Sequence, residues 1–378
     1  GRFLLLLSII LISVYPTLHS NTMSKDTKYE DGPVELPNGT VVGKVWRVQR
    51  KLGEGGCGAV YLVENSLTKK QAAMKAESNF VEGGAVLKVE VDILARLRGK
   101  KHVAELIQAG KKKKFQYMVM SLLGDSLNSL LRKCGKQCSQ STQIRVGIHV
   151  LHGLKQVHDS GFIHRDVKPA NLAMGNRNGG TDPNVVHILD FGLSREFVVT
   201  DSDGGYKMRK PRKRALFRGT TRYCSMSTHE KNEQGRGDDL WSLLYVMVEL
   251  RGPLPWCKIK EKKDLLEAKK AQKDSDLICN SPSVLIKFCD HLRTLDYWTR
   301  PDYLLLYKIL LEAMDAEGYR FSDPWGWEEK SLAAKLKSEM KSAERMDDGL
   351  VKTQVDEIEE KKENPFTDED FIKNPLGF

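Results

Sequence analysis

The spacing of apolar residues changes part-way along this chain, and that change constrains the fold more than any other feature. Between residues 45 and 77, short apolar runs alternate with glycines and polar turns, which is typical of a small antiparallel sheet. From Ser141, apolar residues recur at helical spacing until Gly161, and the stretch 238–250 is apolar nearly all round. The sequence therefore predicts an α+β chain, with a sheet-rich first part and a mostly helical second part.

The composition permits two folded parts and favours an anionic partner. With 378 residues, 40% apolar and 29% charged, the chain is long enough for two lobes with their own cores. A formal net charge of +10 suits a phosphate, an acidic peptide, nucleic acid or a tubulin-like surface. The seven cysteines include Cys134 and Cys138, which lack a second pair for a zinc site, so we expect free thiols in a reducing compartment.

Both ends of the chain are predicted to lie outside the folded part. Residues 1–22 form an apolar leader, which is either a signal-peptide core or sequence upstream of a true start at Met23. We favour the second interpretation, a cytoplasmic or nuclear protein without stable membrane insertion, with secretion as the alternative. Residues 23–45 are interpreted as a flexible segment, and 329–378 as a charged helix followed by a disordered tail.

The tail carries a short motif that suggests a separate role. Asn364, Pro365 and Phe366 resemble the tripeptide bound by endocytic adaptor modules. Three residues arise often by chance, so a peptide-ligand function is only a third hypothesis.

A glycine-rich turn lies between the first strand-like runs. Gly53, Gly55, Gly58 and Val60 follow a G-x-G-x-x-G-x-V pattern, whose glycines allow a tight turn with backbone N–H groups that can approach phosphate oxygens. Dinucleotide-binding folds use a similar pattern that continues into a helix, whereas a second strand follows here. The pattern alone leaves phosphate binding and a purely structural hairpin open.

Two ionisable residues occupy positions that are otherwise apolar. Lys75 ends the strand-like run AAMK, and Glu90 lies on the apolar stripe of a helix predicted over 85–97. Because an isolated buried charge is costly, we expect these two side chains to pair.

The segments HRDVKPAN and DFG carry the strongest chemical signal. Asp166 can accept or orient the proton of a hydroxyl group, and Lys168 can neutralise a transferring phosphoryl group. Asn171 and Asp190 can hold Mg²⁺ on nucleotide phosphates. Each segment alone is also compatible with a surface turn or loop, but their order after the glycine turn and Lys75 indicates a phosphoryl-transfer site.

These motifs, in this order, resemble the eukaryotic protein kinase family over residues 46–328. The resemblance implies a two-lobed kinase fold, with an antiparallel-sheet N-lobe over 46–120 and a mostly helical C-lobe over 121–328. It also implies ATP and Mg²⁺ as cofactors. Lys168, two residues after Asp166, is similar to the serine/threonine class.

The resemblance further implies which residues contact the nucleotide. Besides the glycine turn and Lys75, these are Val60, Ala73 and the hinge over 120–123, which begins with Met120 and ends with Leu123.

The stretch RYCSMSTH narrows the resemblance. Ser225, Met226 and Ser227 stand where most kinases carry Ala-Pro-Glu, a departure that resembles the casein kinase 1 superfamily. Further segments, among them FRGTTRYCS, GRGDDLWSL and LDYWTRPDY, are similar to its tau-tubulin kinase branch. The resemblance implies a monomer that phosphorylates proteins with acidic or phosphorylated flanks, cytoskeletal proteins among them, and that has no nucleic acid partner.

The same resemblance implies an anion site for the substrate flank, formed by Arg222 and Lys260. A guanidinium suits this task because it donates paired, charge-assisted hydrogen bonds to phosphate. The alternative is that Arg222 only satisfies local carbonyl groups. The basic run 207–218 is interpreted as an extension of this surface, with a nuclear-import patch and a solvated loop as alternatives.

Two departures from the kinase pattern leave a second function open. Cys57 stands where an aromatic residue is usual at the tip of the glycine turn, and Ala173 replaces a larger residue expected under the adenine. Neither change removes a phosphate or metal ligand. We therefore predict an active serine/threonine kinase, with a silent, nucleotide-binding scaffold as the alternative.

Overall fold

The computed structural model describes residues 34–55, 58–80, 86–328 and 364–378. The chain divides into two compact units. Of the described residues, the first unit contains those up to Gly124 together with Met174–Ser194, and the second contains Asp125–Ala173 and those from Arg195 onward. This division differs from the boundary predicted after residue 120 and from the assignment of 174–194 to the helical part.

The segment 174–194 belongs to the first unit because it is bonded there. A ring nitrogen of His102, Nδ1, lies 2.8 Å from the carbonyl oxygen of Val186. Ile188 forms a parallel bridge with Val103. These contacts join residues far apart in sequence, so the local apolar pattern does not reveal them.

The first unit is built on one sheet of six strands in the order β1-β2-β3-β4-β6-β5. The strands are β1 Val41–Val42, β2 Trp46–Gly55, β3 Gly58–Asn65, β4 Gln71–Ser78, β5 Leu106–Lys111 and β6 Phe115–Ser121. All neighbouring strands are antiparallel. Helix α1, Val86–Arg96, follows β4 in the chain and corresponds to the helix predicted over 85–97. The predicted sheet-rich first part is confirmed.

Residues 34–45, predicted to be flexible, pack against this sheet. β1 pairs with β2, and Val42 is buried. The buried Tyr61 donates its hydroxyl hydrogen to the carbonyl of Val34 at 2.5 Å and accepts from the N–H of Leu36 at 3.1 Å. The prediction is wrong for this part of the segment, because a tyrosine of the sheet supplies partners for its extended backbone.

The second unit is mostly helical, as predicted. Its helices are α2 Leu127–Lys133, α3 Gln140–Asp159, α4 Met226–His229, α5 Arg236–Leu250, α6 Lys262–Ala271, α7 Asp274–Leu277, α8 Leu285–Arg293, α9 Tyr303–Glu317 and α10 Glu369–Ile372. The Ser139 side chain caps the start of α3 by accepting from the N–H of Thr142 at 3.3 Å. Almost all of α5 is buried, as its all-round apolar pattern predicts.

Short strands complete the structure. They are β7 Phe162–Ile163, β8 Leu172–Met174, β9 Val186–Ile188, β10 Arg195–Glu196, β11 Val198–Thr200 and β12 Tyr206–Met208. Within the second unit, β7 pairs with β10 and β11 pairs with β12, both antiparallel. Ile163 of β7, Val198 of β11 and Phe197 form a small apolar cluster.

The final segment, predicted to be a disordered tail, is folded over residues 364–378. Phe366 and Phe371 are buried, at 4% and 0% exposure. The Asn364 side chain donates to the hydroxyl of Tyr307 at 2.7 Å. The tripeptide that resembles an adaptor ligand therefore makes its contacts within this unit. The ring of Phe366 is buried and is not accessible to a binding partner.

Some sequence predictions lie outside the described residues. These are the leader over 1–22, the charged helix predicted after residue 328, and Cys57. Within the ranges that the structure describes, no helix is long and apolar enough to cross a membrane.

Candidate active site

The glycine-rich turn joins β2 to β3 in the first unit. Gly58 has a φ of +112°, and a Cβ there would lie 2.3 Å from the carbonyl oxygen of Ala76, so only glycine fits. Gly53 and Gly55 face open space, with nothing within 4 Å of a Cβ built on either. Gly53 and Gly55 are exposed at the end of β2, so they leave room beside the strand for a phosphate group.

Lys75 and Glu90 form the ion pair expected from the sequence. The Lys75 ammonium on β4 lies 2.6 Å from Glu90 Oε2 on α1, and both side chains are buried. The same ammonium lies 3.3 Å from Asp190 Oδ1, and the N–H of Phe191 donates to Glu90 Oε1 at 3.4 Å. Burial raises the pKa of Glu90, and the charge of Lys75 opposes that rise. One lysine therefore serves two carboxylates within the first unit.

The other predicted nucleotide contacts lie on the same sheet, except Leu123, which follows the end of β6. Val60 on β3 is opposite Lys75, and Ala73 on β4 is opposite Met120 on β6. Ala73 is buried, whereas Val60, Met120 and the following Leu123 are half-buried. Small apolar side chains, an accessible glycine backbone, an ammonium and a carboxylate fit the base, the phosphates and a divalent cation of a nucleotide.

Asp166 is the centre of a polar cluster in the second unit. Its Oδ2 lies 2.6 Å from the Lys168 ammonium, and its Oδ1 accepts from the Thr220 hydroxyl at 2.7 Å. Lys168 also donates to the Thr220 hydroxyl at 3.1 Å. The Asn171 side chain donates to the Asp166 carbonyl at 2.9 Å and to Oδ2 at 3.2 Å. The structure thus brings Asp166, Lys168 and Asn171 together, and adds Thr220, which the motifs did not reveal.

A buried carboxylate, Asp239 of α5, holds the loop that carries Asp166. It accepts from the N–H groups of His164 and Arg165 at 2.7 and 2.8 Å, and its Oδ2 lies 2.9 Å from His158 Nε2. Burial would raise the pKa of Asp239, but the hydrogen bond and charge of His158 hold that pKa below its ordinary value. These bonds stabilise Arg165, whose φ of +69° is costly for a non-glycine residue.

A second carboxylate, Glu233, organises part of the basic run 207–218. Arg212 donates to it from Nε at 2.5 Å and from Nη2 at 2.8 Å, and Arg195 Nε lies 3.5 Å away. Arg209 pairs with Glu196 at 3.1 Å. Two arginines of the run therefore fold onto carboxylates of their own unit, while its other basic residues are exposed.

Arg222 and Lys260 line one cavity of about 480 Å³ in the second unit. Arg222 is already engaged, because its Nη1 lies 3.2 Å from Glu249 Oε1 and its Nη2 donates to the Cys257 carbonyl at 3.1 Å. Even so, 42% of its side chain is exposed, and Lys260 is exposed. Both interpretations of Arg222 thus find support in the geometry, since it satisfies a carbonyl and also faces a cavity.

Comparison with known proteins identifies the family. The model of the protein kinase domain matches residues 46–307. The chain belongs to the protein kinase family. It is 45% identical over 349 residues to a "Putative serine/threonine-protein kinase" of Caenorhabditis elegans, which covers 92% of this chain and 99% of the relative.

Two further relatives bear on the activity of this kinase. It is 35% identical over 292 residues to a "Probable serine/threonine-protein kinase" of Dictyostelium discoideum, which covers 77% of this chain and 58% of the relative. It is 38% identical over 233 residues to an "Inactive tau-tubulin kinase" of Caenorhabditis elegans, which covers 60% of this chain and 80% of the relative. The two-lobed kinase fold predicted from the sequence is confirmed, and with it an enzyme class that uses ATP, a divalent metal and protein substrates.

Proposed function

We propose that this kinase transfers the γ-phosphoryl group of ATP to Ser or Thr of protein substrates, and that it belongs to the tau-tubulin kinase branch of the casein kinase 1 superfamily. The cluster around Asp166 carries the proposal. Its carboxylate is 7% exposed and is held by Lys168, Thr220 and Asn171. A carboxylate fixed in this way can accept the proton of a substrate hydroxyl, and the neighbouring ammonium can neutralise charge on the group being transferred.

The residues around Lys75 are assigned to nucleotide binding. Bound ATP with Mg²⁺ supplies the phosphoryl group and the metal charge that stabilises its transfer. Lys75 is held in place by Glu90 at 2.6 Å, and the exposed Gly53 and Gly55 leave room for phosphate groups beside β2. By the family resemblance, Asp190 is a candidate Mg²⁺ ligand of the first unit, and Asn171 is separately a candidate ligand of the second.

A silent scaffold is the second candidate, because one relative is named as an inactive kinase. The test is steady-state transfer of radiolabelled phosphate from ATP to an acidic protein substrate, with nucleotide binding measured in parallel. We expect both transfer and binding. Binding without transfer would favour the scaffold, and absence of both would contradict the proposed function.

The substrate is proposed to carry acidic or phosphorylated residues near the target. The cavity lined by Arg222 and Lys260 also includes Lys168 and Thr220, so a basic surface adjoins the Asp166 cluster within one unit. One relative is named a tau-tubulin kinase, so cytoskeletal proteins are among the candidate substrates.

Replacing both Arg222 and Lys260 with Ala is expected to remove the preference for an anionic flank. The KM for a peptide with an upstream phosphoserine should rise, while the turnover of a neutral peptide and the KM for ATP stay nearly unchanged. Contacts to the flank contribute equally in ground and transition states, so they act on KM. Charge-assisted hydrogen bonds of this kind correspond to roughly ten- to a hundred-fold in specificity.

The measurement is the ratio of initial rates on two peptides that differ only in that phosphoserine. Lys260→Ala alone is informative because this side chain is exposed, whereas loss of Arg222 also leaves Glu249 without its guanidinium partner. Lys258→Ala is the matched control, since Lys258 is exposed and does not line the cavity. Equal ratios for wild type and double variant would show that Arg222 is a structural arginine.

A further inference from the structure

Lys269 of α6 is buried at 4% exposure, and the kinase motifs assign it no role. Its ammonium donates to the carbonyl groups of Thr221 at 2.9 Å and Cys224 at 2.5 Å. The ring centroids of Tyr245 and Trp256 lie 4.9 and 5.2 Å from the ammonium. Within the described residues its polar partners are these carbonyls and a nearby histidine ring, and no carboxylate. Burying such a charge is costly, so the carbonyl and ring contacts must compensate.

The two carbonyl groups belong to a stretch without helix or strand, residues 220–224. Buried backbone groups in such a stretch need partners from elsewhere. Lys269 donates to the carbonyls of Thr221 and Cys224, and Trp256 Nε1 donates to that of Arg222 at 2.9 Å. A ring nitrogen of His229 also lies 3.2 Å from the Thr221 carbonyl oxygen. Side chains from outside the stretch therefore fix three of its carbonyls, and Lys269 bonds two of them.

The same stretch, residues 220–224, also contacts the proposed catalytic residues and the proposed substrate cavity. Thr220 donates to Asp166 and accepts from Lys168, so the stretch begins in contact with the proposed catalytic carboxylate. Residues 220–223 line the cavity of about 480 Å³ that we propose for the substrate flank. A shift of this backbone would therefore alter both the Asp166 cluster and the cavity wall.

We propose that Lys269 is the positioning residue that holds the 220–224 stretch against Asp166 and so shapes the surface that receives the substrate peptide. The inference rests on the proposed kinase function. In the part of the chain that the structure describes, the contacts of Lys269 are with Thr221, Cys224, His229, Tyr245 and Trp256, and include neither the proposed nucleotide-binding residues nor Asp166. Its loss should therefore reduce the use of peptide and leave nucleotide binding intact.

The charge state of Lys269 offers a test without mutation. Burial lowers the pKa of Lys269 to about 8. Around it, burial lowers the pKa of His229 on α4 to about 4 and raises that of Cys224 to about 11. Burial also raises the pKa of Tyr245 on α5, and burial raises that of Asp238, at the start of α5, to about 6. Between pH 7 and pH 9.5, Lys269 is thus the group of this cluster that changes charge.

The direction of the pH effect separates positioning from stability. In the folded chain the pKa of Lys269 is about 8, below its ordinary value of 10.5. Between about pH 8 and pH 10.5 the unfolded chain therefore binds more protons at Lys269 than the folded chain does. In this range the contribution of Lys269 to the free energy of unfolding rises with pH. The positioning role has the opposite sign, because the ammonium that the carbonyls and rings attract is lost as pH rises through about 8. A fall in activity in this window therefore does not arise from the unfolding contribution of Lys269.

The experiment compares the full chain with Lys269→Met, Lys269→Arg and Lys270→Met. Lys270 is the matched control, because it is the next residue on α6, is 44% exposed and pairs with Glu230 at 2.9 Å. The probes are an acidic peptide with a single serine, and Mg²⁺–ATP for binding. We expect Lys269→Met to lower kcat/KM for the peptide by about ten- to a hundred-fold, the range for unsatisfied buried carbonyls, with the Kd for ATP unchanged within about twofold.

Lys269→Arg should recover part of the activity, and its alkaline limb should move above that of wild type, because a guanidinium stays charged. If the Met variant does not fold, the wild-type pH profile and the Arg variant still decide the matter. The proposal is overturned if Lys269→Met matches Lys270→Met, if peptide use and ATP binding fall together, or if the wild-type profile is flat from pH 7 to 9.5. A wild type that phosphorylates no peptide would instead refute the proposed function.

Discussion

Asp166→Asn is expected to lower the turnover of protein phosphorylation by about two to four orders of magnitude, the usual worth of a general base. The amide keeps the size of the carboxylate but cannot accept a proton from the substrate hydroxyl. It also removes the negative charge that faces the Lys168 ammonium at 2.6 Å. The measurement is the initial rate of radiolabel transfer to an acidic protein, together with the Kd for ATP.

The Kd should change far less than the turnover, because the groups proposed to hold the nucleotide phosphates, Lys75 and the glycine turn, do not include Asp166. Asp125→Asn is the control, since Asp125 is an exposed carboxylate of the second unit that pairs with Lys133 at 2.7 Å. Near-normal transfer by the Asp166 variant would refute the assignment of Asp166 as the base. A loss of equal size in the Asp125 variant would point to general damage.

The pair Lys75 and Glu90 could be predicted from the sequence because each residue interrupts a local apolar pattern. Strand alternation and helix periodicity act over a few residues, so a charge at a core position is visible without knowledge of the fold. The cost of burying it alone then points to a partner of opposite charge. The same logic does not reach Asp190, which joins this pair at 3.3 Å from far along the chain.

The supports of the Asp166 loop could not be predicted in this way. Asp239 lies in the Asp-Asp pair that opens a buried helix, a position that acidic residues favour for the helix dipole alone. Its three partners lie 74 to 81 residues away. Lys269 similarly follows a basic stretch that is typical of a solvent-exposed surface. Only the tertiary contacts show that Lys269 is buried.

For Arg222, the family resemblance predicts the type of site but not all the contacts of the side chain. The resemblance implies an anion site, and the structure places Arg222 on a cavity with Lys260. The structure also shows that Arg222 Nη1 donates to Glu249, a carboxylate of the same unit. An incoming phosphate would share the guanidinium with that carboxylate, which is why Lys260→Ala is the cleaner probe of the flank.

The fold of the final segment was not predicted from the sequence, because its amino-acid composition indicated a disordered tail. Its stretch is rich in charged residues and has no helical period, which is typical of disorder. Phe366 and Phe371 nevertheless bury their rings against His149 and His152 of α3 and Tyr307 of α9. Two aromatic side chains are enough to anchor a short segment when the surface that receives them already exists.

The segment is also attached beyond these rings. Arg300 donates to the carbonyl of Lys373 at 3.0 Å, and Arg236 donates to that of Phe378 at 2.9 Å. Leu376 and Phe378 pack against the apolar cluster of Ile163, Phe197 and Val198. The segment therefore covers part of the second unit's core.

Phe371→Ala is accordingly expected to destabilise the second unit by about 3 to 5 kcal/mol, the range for truncating a buried phenylalanine. The ring is fully buried and stacks on Tyr307 with centroids 4.0 Å apart and planes 11° from parallel. Its loss leaves a cavity beside Tyr307 and His152 that α10 alone cannot fill. The thermal midpoint should fall by roughly 6 to 20 °C, from about 2 to 4 °C per kcal/mol for a unit of this size.

Ile372→Ala is the matched control, because Ile372 is the next residue of α10 and is 48% exposed. Thermal unfolding of both variants and of wild type, followed by circular dichroism, makes the comparison. A midpoint for Phe371→Ala within about 2 °C of that for Ile372→Ala, which is the effect of an ordinary surface change, would mean that the segment does not cover the core. A large fall for Phe371→Ala alone would instead place residues 364–378 inside the cooperative fold, so that shortening the chain before residue 364 would carry a comparable loss of stability.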